Sequence, residues 1–152
     1  MDSVLRDVVE EDIPVFFDQQ NEPEAIRMAV WPPRTRDAFF EHWRDILRAD
    51  GLVAKTIVSD DDVAGNITSW ERDGKRYVGY WVGQEYWGRG LATRALAELV
   101  EELRPPLYAE VATTNIGSIR VLEKCGFAVV ETTIEHDETY GDVELLVMEL
   151  VG

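Results

Sequence analysis

Apolar residues recur along this chain with two different periods, and the switches between them mark its elements. Residues 4–9, VLRDVV, alternate weakly and predict a short strand. Residues 10–21 predict a short helix with Ile13, Phe16 and Phe17 inward. Three prolines fall in 21–35, which predicts irregular or only briefly helical chain. Thr35 can cap a helix running to about Ala49, with Phe39, Trp43, Ile46 and Leu47 on one face. Strands follow at 52–59, 63–71 and 76–83, joined by the turns SDDD (59–62) and RDGK (72–75). A helical stripe of Leu91, Ala95, Leu96, Leu99 and Leu103 comes next, and Pro105 and Pro106 stop it. Residues 106–113 predict a strand. Residues 115–127 predict a helix ended by Gly126 as a left-handed cap, and 127–136 with 142–150 predict a closing strand pair. This order describes a mixed α+β fold, a largely antiparallel sheet with helices on both faces. It reads as one domain over 1–152, with no internal repeat and no linker.

Composition narrows the function. The chain has 30 acidic and 15 basic residues, a formal net charge of −15. That argues against nucleic acid and against anionic membranes, both of which select basic surfaces. It is compatible with a cationic acceptor drawn in by the field, and equally with acidity that only keeps the protein soluble. Cys125 is the single cysteine, so no intrachain disulfide forms. No apolar leader precedes the first strand, and the expected location is the cytoplasm. Five tryptophans in 152 residues are many, and some are expected to line a site.

The stretch QEYWGRGLATRAL sets Gly88 and Gly90 at the mouth of a helix. Glycine is a poor helix residue, and it suits backbone that must bend sharply or approach a ligand closely. A helix N-terminus with exposed N–H groups is a ready site for phosphate. A Walker A loop is excluded, because no Lys-Ser or Lys-Thr pair follows. A dinucleotide fingerprint is excluded by Thr93 in place of the third glycine and by the lack of a βαβ unit. The pyrophosphate loop of acyl-coenzyme A enzymes, [Q/R]-x-x-G-x-[G/A], fits residues 87–92 everywhere except Trp87.

YWVGQEYWGRGLATRAL and NIGSIRVLEKCGF together resemble the two coenzyme A motifs of the GNAT superfamily of N-acetyltransferases, and the element order is similar over essentially the whole chain. The W-G-x-G loop and the N-x-x-S-x-x-V-L-E-K-x-G-F helix are most similar to the branch containing ribosomal-protein N-terminal alanine acetyltransferases, the Rim type. The resemblance implies acetyl-coenzyme A as acyl donor, no metal, and an amine or peptide N-terminus as acceptor. It implies that backbone N–H groups of Gly88, Arg89, Gly90, Leu91, Ala92 and Thr93 cradle the pyrophosphate, with Trp87 packed under the loop. It places Asn115, Ser118 and Arg120 on the cofactor, with Lys124 a further cation on that helix. Asn115 is equally an N-cap, and Arg89 and Arg120 are equally solvated charges.

For the chemistry, the resemblance gives the oxyanion to the backbone N–H of Val82 or of Gly83, with Gly83 also allowing the local splay that admits the pantetheine arm. Glu110, a carboxylate inside the apolar strand YAEVAT, is the first candidate base; the competing reading is a charge on that strand's solvated side. Glu71 and His136 are weaker candidates. Leu122 stands where many members carry a tyrosine that protonates the leaving thiolate. Ser118 is then the substitute donor, or a small residue chosen for packing. Cys125 reads as structural. Trp31, Trp43, Trp70, Tyr80 and Trp81 are expected to wall the acceptor site, with Glu71 and Asp73 able to hold a cationic amine. The resemblance also makes a homodimer through the last strand plausible. Two other functions stay open: a coenzyme A-binding module without catalysis, and transfer of a different acyl group.

Overall fold

The computed structural model describes residues 3–29 and 34–152. Its elements run β1 (Leu5–Asp7), α1 (Ile13–Gln20), α2 (Pro23–Ala29), α3 (Arg36–Arg48), β2 (Val53–Ser59), β3 (Asp62–Arg72) and β4 (Lys75–Val82). Then come α4 (Leu91–Glu102), β5 (Leu107–Ala112), α5 (Ile116–Lys124), β6 (Ala128–Asp137) and β7 (Gly141–Leu150). Short 3-10 turns lead into α1 and out of β4. The brief helix allowed in the proline-rich segment is α2, with Pro23 at its start.

The seven strands form one sheet in the order β1-β2-β3-β4-β5-β7-β6. All neighbours are antiparallel except β4 and β5. The two central hairpins are set by their turn chemistry. Asp60 and Asp61 both take positive φ, as do Asp73 and Gly74, and this left-handed pair matches the twist of the flanking strands. Gly126 takes φ of 94° after α5, where Gly126 N–H bonds to Glu123 C=O and Phe127 N–H to Leu122 C=O, a Schellman closure.

Side chains alternate across the sheet and build two cores. On one face, Ile67, Val78, Leu107, Ala109 and Met148 pack with Leu91, Ala95, Leu96 and Leu99 of α4 and with Leu122 of α5. On the other face, α1 and α3 cover β2 and β3, and Ile13, Phe16, Phe39 and Trp43 form a second cluster. Phe16 and Trp43 lie with ring centroids 4.8 Å apart. Leu47, expected inward, is 43% exposed, because α3 buries mainly the Phe39–Trp43 side of its stripe. β6 is exposed along nearly its whole length, since it is the sheet's outer strand.

One polar knot ties the first strand to the first helix. Asp12 is buried, yet it receives Arg6 through both guanidinium nitrogens at 2.8 and 2.9 Å. It also accepts from the Val9 N–H at 2.9 Å and from the Thr56 hydroxyl at 2.7 Å. Burial opposes its ionisation, but these donors outweigh burial and hold its pKa below the usual carboxylate value. Asp12→Asn is therefore expected to lower unfolding free energy by about 3 kcal/mol, because it leaves the Arg6 guanidinium without its counter-charge and weakens the bonds from three donors at once. A depressed folded pKa gives stability that is complete above the unfolded value of about 4 and fades as pH falls through the folded one. Urea melts should show the gap between wild type and variant narrowing below pH 4 or so, and a constant gap would contradict the assignment.

Candidate functional site

β4 and β5 are paired only at Arg76–Leu107 and Tyr77–Tyr108, and then they part. The opening begins well before Gly83, so Gly83 does not create it. A Cβ on Gly83 would come within 3.1 Å of three atoms of the Gln19 side chain, which is why glycine stands there. The Gly83 N–H is also spoken for, donating to Ala64 C=O at 2.8 Å. Backbone groups alternate along a strand, so Val82 turns its own N–H and C=O away from β3 and toward the gap. Its C=O accepts from Trp87 Nε1 at 2.9 Å. Trp87 is thus a strap across the loop, 39% exposed, rather than a side chain packed beneath it.

The gap continues into a cleft of about 460 Å³ that runs from Tyr80 and Val82 to the start of α4. At that end Gly88 and Gly90 take φ of 81° and 74°, the left-handed conformation that favours glycine. Gly90 is the N-cap of α4 and provides no side chain to cap it. Its C=O accepts the Arg94 N–H, which leaves the N–H groups of Leu91, Ala92 and Thr93 as the open first turn. No acidic residue sits in that turn, and among the described residues no atom lies within 4 Å of a Cβ built on Gly88 or Gly90. The space, the dipole and the missing carboxylates all suit an anion. Arg89 is not on the cleft wall: its guanidinium sits over the Tyr86 ring, 5.2 Å from the centroid.

The facing wall is α5. Asn115 caps it, its Oδ1 accepting from Ser118 N–H at 3.3 Å, and it also lines the cleft. Arg120 and Lys124, one turn apart, present their cationic side chains from the same wall. Ser118 and Tyr80 meet inside the cleft: their hydroxyls are 2.8 Å apart, and Tyr80 Oη also lies 3.1 Å from Ser118 C=O. Burial pushes the Tyr80 phenol well above its ordinary value, so the group stays protonated. Leu122 is 1% exposed in the main core and does not reach the cleft. Cys125 Sγ–H points to Thr93 C=O at 3.6 Å, and burial raises its thiol pKa, as befits a structural cysteine.

Glu110 lies on the opposite sheet face, the one shared with α1 and α3. It is half-buried and ion-paired with Arg72 at 2.6 Å, and the Arg72 guanidinium stacks 4.2 Å above the Tyr77 ring. Trp70 stacks on Tyr77 at 6.1 Å, and its indole lies over Gly79, where a Cβ would come within 3.0 Å of it. Trp70 and Tyr77 form an aromatic floor on this face, while Trp81 donates its Nε1–H to Gln19 C=O at 3.0 Å and borders the cleft. Trp43 does not join it, being 3% exposed in the second core. Trp31 falls outside the described residues. Glu71 pairs with Arg76 at 3.5 Å and His136 with Asp142 at 3.2 Å, and neither borders the cleft.

The GNAT acetyltransferase domain matches residues 3–128. The chain belongs to the GNAT acetyltransferase family. Solved structures share the fold at low identity. A ribosomal-protein-alanine N-acetyltransferase from Brucella melitensis aligns with a TM-score of 0.81 and 22% identity, over 97% of this chain and 99% of that one. A spermidine N-acetyltransferase chimera built from a Vibrio cholerae enzyme aligns with a TM-score of 0.80 and 16% identity, over 97% and 93%. YncA from Salmonella typhimurium, solved with its cofactor acetyl-CoA, aligns with a TM-score of 0.78 and 20% identity, over 97% and 92%. No curated protein sequence matches this chain. As a GNAT acetyltransferase, the protein is an acyl-coenzyme A-dependent enzyme, and the cleft residues fit such a donor. Gly90→Asp is expected to weaken acetyl-coenzyme A binding by about two orders of magnitude in calorimetry, since it would place a carboxylate at a helix terminus suited to an anion. Binding within twofold of wild type would show that this loop is not the cradle.

Proposed function

We propose that this protein transfers an acetyl group from acetyl-coenzyme A directly to a primary amine within a ternary complex. The observation that carries this reading is the gap between β4 and β5, with a glycine-lined helix terminus at one end and a hydroxyl pair beside Val82 at the other. The pyrophosphate rests on the N–H groups of residues 88–93, with Arg120 and Lys124 flanking it. The pantetheine arm lies along the open edge of β4 past Asn115. The Val82 N–H donates to the thioester oxygen as it becomes an oxyanion, and Ser118 donates to the departing sulfur.

The acceptor enters from the face carrying Trp70, Tyr77 and Trp81, where Glu110 is the base for the amine proton. Glu110 sits level with Gly79 if the β4–β5 register is extended, so a water molecule completes its reach. Names of the structural neighbours supply amine acceptors of two kinds, a protein N-terminal alanine and spermidine. The net charge of −15 favours a cationic acceptor. A second reading, a coenzyme A-binding protein without turnover, draws support from the Arg72 pairing, which already engages Glu110.

Two measurements separate these readings. Calorimetry with acetyl-coenzyme A, paired with thiol release over polyamines, aminoglycosides, amino acids and alanine- or serine-led peptides, should show tight binding and turnover with one class. Binding without any turnover would favour the second reading. Glu110→Gln should lower kcat about a hundredfold while sparing donor affinity. A kcat within about twofold of wild type removes Glu110 as base.

A further inference from the structure

We propose that Tyr80 is a positioning residue that aims the Ser118 hydroxyl at the thioester sulfur; the inference rests on the acetyl-transfer reading above. Tyr80 comes from β4 and Ser118 from α5, which follows β5, so their contact spans the gap in the sheet. A phenol on one bank of the cleft and a serine on the other meet at 2.8 Å in its interior. Neither contact is needed to complete a helix or a strand ladder. The Asn115 side chain already satisfies the Ser118 N–H.

The two hydroxyls hold two protons, and their direction decides what the cleft offers. If Tyr80 donates to the Ser118 C=O, the serine proton is drawn back to the phenol oxygen and the sulfur receives nothing. If Tyr80 donates to Ser118 Oγ, the serine O–H is freed to point into the cleft. A hydroxyl that accepts one strong bond also donates a stronger one. A thiolate forming in the cleft selects the second arrangement.

Burial keeps the phenol protonated, so Tyr80 does not give its proton away. The lone pair of the acceptor nitrogen forms the new C–N bond to the acetyl carbon, and the nitrogen's proton passes through water to Glu110. The C–S bond breaks, its electron pair goes to sulfur, and Ser118 donates a hydrogen bond to the resulting thiolate without surrendering its proton. Coenzyme A leaves as the thiolate and takes its proton from water. Leu122 lies in the core, so the donor must be another residue of α5, which is Ser118, and β4 provides its support through Tyr80.

The test reads the sulfur directly. The thiolate of bound coenzyme A absorbs in the ultraviolet, and its titration can be followed against desulfo-coenzyme A complexes, which cancel Cys125 and the tyrosines. In wild type the bound thiol should titrate about one pH unit below its value in Tyr80→Phe and Ser118→Ala. In turnover, Tyr80→Phe should lower kcat about tenfold with KM for acetyl-coenzyme A within twofold. The double variant should be no slower than Ser118→Ala, because Tyr80 acts through the serine. Identical thiol titration in all variants overturns the proposal. So do additive losses, or a Tyr80→Phe defect confined to KM, which would make the ring a wall of the groove. Failure of wild type to bind coenzyme A would instead overturn the acetyl-transfer reading itself. Melting temperatures within a few degrees of wild type confirm that the variants remain folded.

Discussion

Everything in this molecule's site depends on two strands that stop pairing. β4 is hydrogen-bonded to β3 along its whole length, but its other edge is held by β5 at only two residues. β5 is meanwhile paired in full with β7. The open edge is therefore short, formed where Tyr80 and Val82 turn their backbone groups toward the gap, in the middle of the sheet rather than at its rim. Backbone N–H and C=O groups left without partners in a protein interior cost more than a kilocalorie each. On the proposed reading, a bound arm carrying amide groups of its own offsets that cost, and the binding slot is a missing section of β-ladder.

The rest of the architecture keeps this section open and gives it two ends. α4 and α5 cover one face of the sheet and meet below the loop, with the Cys125 thiol reaching Thr93 of α4. The turn between β4 and α4 is then fixed from both sides. Trp87 holds Val82, and Glu22 of the segment before α2 accepts the Gln84 N–H at 2.8 Å. That leaves the two left-handed glycines free to aim the first turn of α4 along the slot. The strain of positive φ is thus borne by residues that have no side chain to clash.

The fold was legible where local chemistry is strongly typed. Asp60-Asp61, Asp73-Gly74 and Gly126 each announce a left-handed turn, and the stripe Leu91-Ala95-Leu96-Leu99 announces a buried helix face. The glycine loop was legible for the same reason. What stayed hidden depends on pairings between distant segments. Tyr80 reads from sequence as one aromatic among several, because its partner lies 38 residues away and meets it only across the parted strands. Glu110 reads as a lone carboxylate, because Arg72 is brought to it by a hairpin and a crossover. Trp43 reads from sequence as part of the acceptor wall, and it proves to be core because α3 lies against α1.

Charge distribution completes the picture, and it runs opposite to the total. A chain with a net charge of −15 must accommodate an anionic donor, so the field near the loop has to be set locally. Electrostatic reach at physiological salt is about 8 Å, short compared with the molecule. Within that reach the helix terminus, Arg120 and Lys124 decide the sign, and the first turn of α4 holds no carboxylate to oppose them. Glu85, the nearest acid along the chain, contributes its backbone carbonyl to Arg89, and its carboxylate and that of Asp62 lie close enough to Tyr86 to act on its phenol. Other acidic residues cluster on the exposed β6–β7 hairpin. On the proposed reading, donor and acceptor then approach the gap from the two faces of one sheet. The parted strands are then the route by which their reacting atoms touch.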